Sequence, residues 1–286
     1  MTTPASRPRA GVSGWPVAHS RSPLIHRFWL ERLGVDGDYV LLPVPPGEFP
    51  AFAAGIGAAG LVGANVTVPH KEAAFAACDR RTPTAEALGA VNVLWREDGR
   101  LWGDNTDVAG FLANMDDLAP GWDERRGLAV VIGAGGAARA IVYGLIARGF
   151  ERIVLVNRTR SRAEALATAF AGPVLAAPWE DLAGLLGDAS LLVNASVLGM
   201  AGQPPLVLDV GALPPGAVVS DIVYVPLRTP LVEAAAARGL RAVDGLGMLL
   251  HQAAPAFERW FGRRPTVTPE LRAVVEADVT AKERGR

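Results

Sequence analysis

The sequence has one cysteine, no long apolar run and almost no net charge, and each shortage excludes a class of protein. Cys78 is the single cysteine, so the chain forms no internal disulfide and no cysteine-rich metal site. The formal net charge of −1 at pH 7 gives no bulk attraction to nucleic acid or to an anionic membrane. No stretch reaches the roughly 18 apolar residues of a spanning helix, and no apolar signal segment follows Arg9. We expect a soluble, cytoplasmic protein that binds small molecules and neither nucleic acid nor membrane.

The four histidines show no spacing typical of metal ligands, and we expect no metal site. His70 is interpreted as packing at a helix start. With 286 residues, half of them hydrophobic, the chain is long enough for two domains with sizeable cores. The polar stretch at 117–126, which contains a proline and a glycine, is predicted to lie just past the boundary between them.

A strand–glycine–helix pattern dominates the middle of the chain. The apolar residues Val130–Ile132 predict a strand, and the helical pattern after the glycines stops near Gly149. Gly133, Gly135 and Ala138 form G-x-G-x-x-A between strand and helix, where glycines permit a tight turn and close approach to a pyrophosphate. The first turn of the helix then offers N–H groups to phosphate oxygens. The alternative is a glycine-rich turn that binds nothing.

The next predicted strand indicates which dinucleotide is bound. At its end, NAD-binding units usually carry an acid for the ribose 2′-hydroxyl. Here Asn157 takes that place, and arginines follow at 158, 160 and 162. Guanidinium groups bind a 2′-phosphate through charge-assisted hydrogen bonds, which favours NADP. The alternative is a solvated basic helix start.

Polar residues also mark the N-terminal half. Ser20 and Ser22 can direct two hydroxyls at one anion, although from this loop alone a helix cap before Pro23 is the preferred interpretation. A strand predicted at 64–68 would place Asn65 and Thr67 on one face. Lys71 follows at a helix start, where the helix dipole opposes a cation; a surface lysine remains the alternative.

Two further strands and a helix carry polar groups. Asn92 lies in a strand predicted at 89–95, and Asp107 is a candidate helix cap. Strands predicted at 191–194 and 218–224 end in polar residues, as at the ligand-binding edge of an open parallel sheet. A last helical pattern runs from 245 to about 261.

Seven motifs in one order give the chain its resemblance to a family. They are G-x-P-x-x-H-S-x-S-P (Gly14–Pro23), N-V-T-x-P-x-K (Asn65–Lys71), G-A-V-N (Gly89–Asn92), G-x-N-T-D (Gly103–Asp107), G-A-G-G-A (Gly133–Ala137), N-R-T (Asn157–Thr159) and D-G-x-x-M-L-x-x-Q (Asp244–Gln252). Through these seven motifs the chain resembles, over nearly its whole length, the shikimate dehydrogenases of the shikimate/quinate dehydrogenase family.

The resemblance implies an α/β fold of two domains with a cleft between them. Residues 1–112, completed by C-terminal helices within 247–286, would form the α/β substrate-binding domain. Residues 113–246 would form a Rossmann-like NADP-binding domain. The implied reaction is the reversible, NADP-dependent reduction of 3-dehydroshikimate to shikimate. Closure of the domains would exclude water, and the implied assembly is a monomer or a homodimer.

The resemblance also assigns roles to residues. Lys71 and Asp107 would be the catalytic acid/base pair. The substrate would be bound by Ser20, Ser22, Asn65, Thr67, Asn92, Tyr224 and Gln252. NADP would be bound by Gly133, Ala134, Gly135, Gly136, Ala137, Asn157, Arg158, Thr159, Arg162 and Gly245.

The chain departs from the family pattern at Arg27, Val108, Ser196 and Val225, and none of these changes removes a group that the reaction needs. They leave the substrate range open, because quinate-using relatives share most of the motifs. Two alternatives therefore stand beside the first interpretation. One is a quinate/shikimate dehydrogenase of broader substrate and cofactor range. The other is a catalytically silent relative that senses NADP or a shikimate-like ligand, against which the retained Lys71 and Asp107 argue.

Overall fold

The computed structural model describes residues 7–284 and divides the chain into two compact units. The first unit contains the described residues through Thr106 together with Gln252–Val275. Its elements before Thr106 are β1 (Arg9–Gly14), α1 (Ser22–Arg32), β2 (Asp38–Pro43), α2 (Phe49–Gly55), β3 (Leu61–Val66), α3 (Lys71–Ala77), β4 (Arg80–Arg81), α4 (Pro83–Leu88), β5 (Val93–Glu97) and β6 (Arg100–Asp104).

The first unit is built on a mixed six-stranded sheet of order β2-β1-β3-β5-β6-β4. β1 lies parallel to β2 and β3, whereas β5 is antiparallel to β3 and β6. One core cluster contains Phe49 and Ile56, and another joins Tyr39 to Trp260 from near the end of the chain. The Trp260 indole N–H donates to the Leu94 carbonyl oxygen at 3.0 Å. The indole ring lies over Gly63, where a Cβ would collide with it, so this contact requires glycine at position 63.

The second unit contains Asp107–His251 and the described residues from Glu276 onward. Its elements are α5 (Asp107–Leu118), β7 (Leu128–Ile132), α6 (Gly136–Ala147), β8 (Arg152–Val156), α7 (Arg160–Phe170), β9 (Val174–Ala177), α8 (Leu182–Leu185), β10 (Ala189–Asn194), β11 (Val218–Asp221), α9 (Pro230–Ala237), β12 (Arg241–Val243) and the first residues of α10 (Leu246–Phe261). The last helix is α11 (Pro269–Arg284).

The second sheet is entirely parallel, with six strands in the order β12-β11-β10-β7-β8-β9. Every residue of β7 is buried, because both faces of a central parallel strand are covered. The strand order reverses between β7 and β10, and such a reversal is where doubly wound sheets bind dinucleotides. The predicted fold class, with an α/β N-terminal part and a Rossmann-like C-terminal part, is confirmed.

The boundary between the two compact units differs from the boundary between the predicted domains. The division falls between Thr106 and Asp107, so all of α5 groups with the second unit. The reason is packing, since Phe111 and Met115 lie in one buried cluster with Trp122 and Leu145. The structure also assigns residues 247–251 and 276–284 to the second unit rather than the first.

Three predicted strands have different ends in the structure. β3 ends at Val66 and not at residue 68, and Val68 is 70% exposed before a proline that has no N–H to donate. β5 begins at Val93 rather than at 89, because Gly89 (φ 59°) terminates α4 in the left-handed region. β11 ends at Asp221, three residues before the predicted end. No helix in residues 7–284 is long and apolar enough to cross a membrane.

Candidate active site

The two serines of the first motif meet at the start of α1. The Ser20 hydroxyl oxygen accepts from the Ser22 backbone N–H at 3.3 Å, and the two hydroxyl oxygens are also 3.3 Å apart. Ser22 is the first residue of the helix and Pro23 lies in its first turn. The N-cap of α1 is Arg21, whose side chain makes no capping hydrogen bond, so neither serine is the helix cap of the alternative interpretation, although Ser20 contacts the first residue of the helix. The same contact holds the two hydroxyls side by side.

The polar residues of the first unit gather at one edge of its sheet. Parallel pairing places Ser13, at the end of β1, opposite Val66 at the end of β3. Antiparallel pairing places Asn65 opposite Val93, and Val93 opposite Asp104 at the end of β6. The edge is therefore formed by the loop to Ser20, the end of β3 and the segments flanking β5 and β6. The predicted substrate residues at this edge are Ser20, Ser22, Asn65, Thr67 and Asn92.

Lys71 is held at this edge by the residue before it. The His70 ring is buried, stacks on Phe49 with centroids 4.6 Å apart, and its Nε2 lies 2.8 Å from the Val44 carbonyl oxygen. This agrees with the interpretation of His70 as helix-start packing. The Lys71 carbonyl oxygen accepts from the Val91 N–H at 2.9 Å. The backbone around Lys71 is thus fixed on both sides, while its side chain remains partly exposed.

Asn92 orders the segment that leads to Asp107. Its side-chain oxygen accepts from the Thr106 N–H at 2.8 Å and from the Thr106 hydroxyl at 3.2 Å. The Asn105 side chain donates to the Ala90 carbonyl oxygen at 3.1 Å. Asp107 follows as the first residue of α5 and is buried. The predicted cap residue is therefore an acidic residue in the first helical turn, where the helix dipole favours its charge.

Asn65 has two buried partners, of which the sequence analysis singled out Asn92 but not Tyr39. The Tyr39 hydroxyl donates to Asn65 Oδ1 at 2.6 Å, and Asn65 Nδ2 donates to the Asn92 carbonyl oxygen at 3.3 Å. His26 stacks on Tyr39 with centroids 4.0 Å apart and ring planes 2° from parallel. Burial lowers the pKa of His26 to about 3, and its contact with Asn65 only partly opposes this. His26 is therefore neutral at physiological pH.

The glycine turn of the second unit lies where its strand order reverses. Gly133 has φ 119°, and a Cβ there would lie 2.8 Å from the Ala195 carbonyl oxygen at the end of β10. Gly135, the residue before α6, and Gly136 are exposed, and a Cβ on either would meet nothing within 4 Å. No side chain caps this end of α6, whereas Ala138 is buried in the core. The protein thus requires glycine at 133, while 135 and 136 face open space.

The end of β8 carries the predicted phosphate-binding residues. Asn157 Nδ2 donates to the Thr159 carbonyl oxygen at 2.8 Å, which folds the turn before α7. Arg158, Thr159 and Arg162 are exposed there. Arg160 differs from them, because its Nε pairs with Glu164 Oε1 at 2.7 Å along the helix. The pattern of alternate arginines thus contains one that is paired within its own helix.

The ends of β10 and β11 are joined by a buried network that sequence analysis missed. Asn194 Nδ2 donates to Asp221 Oδ1 at 2.9 Å, and the Thr229 hydroxyl donates to Asp221 Oδ2 at 2.7 Å. Burial raises the pKa of Asp221, and its hydrogen bonds oppose the rise. The Ser196 hydroxyl donates to Asn194 Oδ1 at 2.7 Å. This network fixes the loops after both strands, including the segment before Tyr224. In the sequence, the network was indicated only by the polar residues at the ends of two predicted strands.

The remaining predicted residues fall in different places. Tyr224 lies after β11 in the second unit and is partly exposed. Gly245 is buried against the Ile222 backbone, where a Cβ would collide with the carbonyl group. Gln252, in α10, belongs to the first unit, as does Lys71, whereas Asp107 belongs to the second. No group of three His, Cys, Asp or Glu side chains within residues 7–284 is arranged to hold a metal ion.

Three family models match the chain in order. The shikimate dehydrogenase substrate binding domain matches residues 12–94, the shikimate/quinate 5-dehydrogenase model matches residues 122–199, and the shikimate 5′-dehydrogenase C-terminal domain matches residues 245–273. The first match lies within the first compact unit and the second lies within the second unit.

Similar proteins cover almost the whole chain. Shikimate dehydrogenase (NADP(+)) of Methylocella silvestris is 59% identical over 275 residues, which cover 96% of this chain and 98% of that protein. Shikimate 5-dehydrogenase of Thermus thermophilus, solved with NADP(H) and shikimate, is 36% identical with a TM-score of 0.80 and covers 96% of this chain and 99% of that one. Quinate dehydrogenase of Corynebacterium glutamicum, solved with NAD, is 29% identical with a TM-score of 0.88 and covers 95% and 99%. The matched domain models, together with 59% identity to the Methylocella silvestris protein over 96% of the chain, establish that the chain belongs to the shikimate dehydrogenase family.

Proposed function

We propose that this protein catalyses the reversible, NADP-dependent reduction of 3-dehydroshikimate to shikimate. The observation that carries the proposal is the gathering of Ser20, Asn65 and Asn92 at the edge of the first sheet where Lys71 begins α3. Two hydroxyls, two carboxamides and an ammonium suit a small ligand that bears one carboxylate and several hydroxyls. The first unit, whose described residues are 7–106 and 252–275, is thus the proposed substrate-binding part.

Lys71 and Asp107 are the proposed acid/base pair. The substrate oxygen gains negative charge as its carbon is reduced, and an ammonium group both stabilises that charge and donates the proton. Proton transfer by a positioned side chain typically contributes about 10²–10⁴-fold in rate. Asp107 would hold the lysine and a substrate hydroxyl in position. In the oxidative direction Lys71 would act as the base.

The other polar residues at the sheet edge would bind and orient the substrate. Ser20 and Ser22 would donate to the carboxylate from hydroxyls that lie side by side at a helix start. Ring hydroxyls would be bound by Asn65, Thr67, Asn92 and Gln252, and Tyr224 would contact the substrate from the second unit. These contacts together would determine which ring carbon of the substrate faces the cofactor.

The second unit fits NADP at the point where its strand order reverses. The uncapped N-terminus of α6 and the open space at Gly135 and Gly136 accommodate a pyrophosphate. Ala134 and Ala137 complete that turn, and Gly133 packs against the Ala195 carbonyl group. Gly245, which packs against the Ile222 backbone, is a further proposed contact of the cofactor. The exposed Arg158, Thr159 and Arg162 would bind the 2′-phosphate beside Asn157. When bound, NADPH supplies the hydride.

The decisive experiment is a steady-state assay with shikimate and quinate, each with NADP and NAD. We expect the highest kcat/KM for shikimate with NADP. Comparable turnover of quinate would instead support the broader quinate/shikimate dehydrogenase, which the similarity to the Corynebacterium glutamicum enzyme keeps open. Binding of ligands without turnover would support the catalytically silent relative.

A further inference from the structure

We propose that Tyr39 is a positioning residue, whose hydroxyl fixes the Asn65 amide so that Asn65 presents an N–H, and not its carbonyl oxygen, to the substrate. The inference rests on the proposed function, in which Asn65 binds a ring hydroxyl. Tyr39 itself is fully buried, with 0% of its surface exposed. It therefore acts through Asn65 and not by touching the substrate.

The hydrogen bonds around Asn65 determine which way its amide points. The Asn92 carbonyl oxygen can only accept, and it already accepts from the Val66 N–H at 2.8 Å. Of the two Asn65 side-chain atoms, only Nδ2 can donate to that oxygen, and it lies 3.3 Å away. Oδ1 must then face Tyr39, whose hydroxyl donates to it at 2.6 Å. One hydrogen of Nδ2 is used by Asn92. Neither ring nitrogen of His26 has a hydrogen-bond partner among the described residues, so the second hydrogen is not taken by that ring, and we assign it to a substrate oxygen.

The surroundings of Tyr39 hold its hydroxyl in this role. His26 stacks flat on the phenol ring at 4.0 Å between centroids and is itself flanked by Trp29, Phe257 and Trp260. Burial raises the pKa of Tyr39 well above its ordinary value, and a hydrogen bond with Ser22 opposes that rise. The hydroxyl therefore keeps its proton and remains a donor to Asn65. Since Ser22 pairs with Ser20, Tyr39 links the proposed carboxylate and hydroxyl subsites.

The first test replaces Tyr39 with phenylalanine, which retains the ring that stacks on His26. Removing the donor leaves Asn65 Oδ1 buried without its partner and frees the amide to turn. We expect Tyr39→Phe to raise the KM for shikimate by roughly tenfold, with a smaller change in kcat and no change in the KM for NADP. Tyr143→Phe, on α6 in the second unit, is the matched control and should leave all three constants unchanged.

A double-mutant cycle then separates this inference from the proposed site. If Tyr39 acts through Asn65, Tyr39→Phe should add little to Asn65→Ala. If Asn65→Ala leaves the KM for shikimate unchanged, the proposed substrate site is wrong. If Asn65→Ala raises KM but Tyr39→Phe does not, or if the two effects add fully, the positioning role is overturned while the site stands.

The variant Asn65→Asp tests the amide orientation without touching Tyr39. An ionised carboxylate only accepts, so it can receive the Tyr39 hydrogen bond but cannot donate to a substrate oxygen. We expect its KM for shikimate to rise at least as much as that of Asn65→Ala. A KM close to that of the wild-type protein would mean that Asn65 presents an oxygen to the substrate, which contradicts the inference even if Tyr39→Phe fails to fold.

Discussion

At the scale of single residues, His26 makes the stability of the first unit sensitive to acid. Its pKa is about 3 in the folded protein against 6.5 for an unperturbed histidine, because burial penalises the charged ring. Below pH 6.5 the unfolded chain takes up a proton that the folded protein does not. This group therefore lowers the free energy of unfolding as pH falls from about 6.5 towards 3, by up to about 1.4 kcal/mol per pH unit.

The prediction is that His26→Leu removes this pH dependence, although losing the stacking lowers stability at every pH. Between pH 6.5 and 4.5 the wild-type protein should lose about 2 kcal/mol more of its unfolding free energy than the variant does. Urea denaturation at both pH values gives the comparison. Equal losses in the two proteins would show that His26 is not a neutral buried group.

The proposed acid/base role of Lys71 can be tested against the chain's only other lysine, Lys282. Lys71→Met should lower kcat by two or more orders of magnitude, because the variant has no proton to donate. The KM for shikimate and the thermal midpoint should change little. Lys282 is paired with Asp278 on α11, and Lys282→Met should retain full activity. Near-normal turnover of Lys71→Met would remove this lysine from the chemistry.

Cofactor choice depends on Arg158 in the proposed site. A charged hydrogen bond is worth about 1.5–3 kcal/mol, so Arg158→Ala should weaken NADP binding by about ten- to a hundredfold. Binding of NAD should be nearly unchanged, since NAD has no phosphate at that position. Arg160→Ala is the matched control, because Arg160 pairs with Glu164. Isothermal titration at fixed salt measures both cofactors, and an equal loss of NAD and NADP would contradict the phosphate-binding role.

At the scale of elements, the two glycines of the turn before α6 have different tasks. Gly133 adopts φ 119° with the Ala195 carbonyl group against it, so Gly133→Ala should destabilise the fold. Gly135 faces open space, and Gly135→Ala should change the free energy of unfolding by less than about 1 kcal/mol. It should nevertheless raise the KM for NADP, because a methyl group would occupy the pyrophosphate position. An unchanged KM would mean that no ligand approaches this backbone.

The elements also show which features sequence patterns can predict. Gly133, Gly135, the strand before them and the helix after them were predictable, because a turn and an apolar pattern are encoded by neighbouring residues. The pairing of Tyr39 with Asn65 joins residues 26 apart, and that of Asn194 with Asp221 joins residues 27 apart. No local pattern specifies such partners, since they depend on which strands become neighbours. Strand ends were also predicted inexactly, since β3 and β11 end before the predicted residues 68 and 224 and β5 begins after the predicted residue 89.

At the scale of the whole molecule, the first unit depends on residues that follow the second. Ala256, Phe257 and Trp260 are buried in it, and the Trp29 indole N–H donates to the Thr266 carbonyl oxygen at 3.1 Å. Losing a single buried aromatic side chain costs about 3–5 kcal/mol, against a total stability of about 5–15 kcal/mol. A chain ending after His251 should therefore fail to fold its first unit.

Hydrogen exchange measured by mass spectrometry tests this expectation. In the shortened chain, β1 to β6 should lose their protection while β7 to β12 retain theirs. The control is a chain ending after Val275, which lacks only residues that group with the second unit and should keep β1 to β6 protected. Full protection of β1 to β6 without residues 252–275 would contradict the expected dependence.

Because the first unit contains residues 252–275, the order of synthesis determines which unit can complete its folding first. Residues through Thr106 emerge first, but Trp260, which closes over Gly63, is synthesised only after the whole parallel sheet. At about 5–20 residues per second, the chain between Thr106 and Trp260 takes roughly 8–30 s to appear. During that interval the core around Tyr39 lacks its last aromatic residues. The part of the chain made first is thus completed last, and the Rossmann-like unit can form its sheet before its N-terminal neighbour is finished.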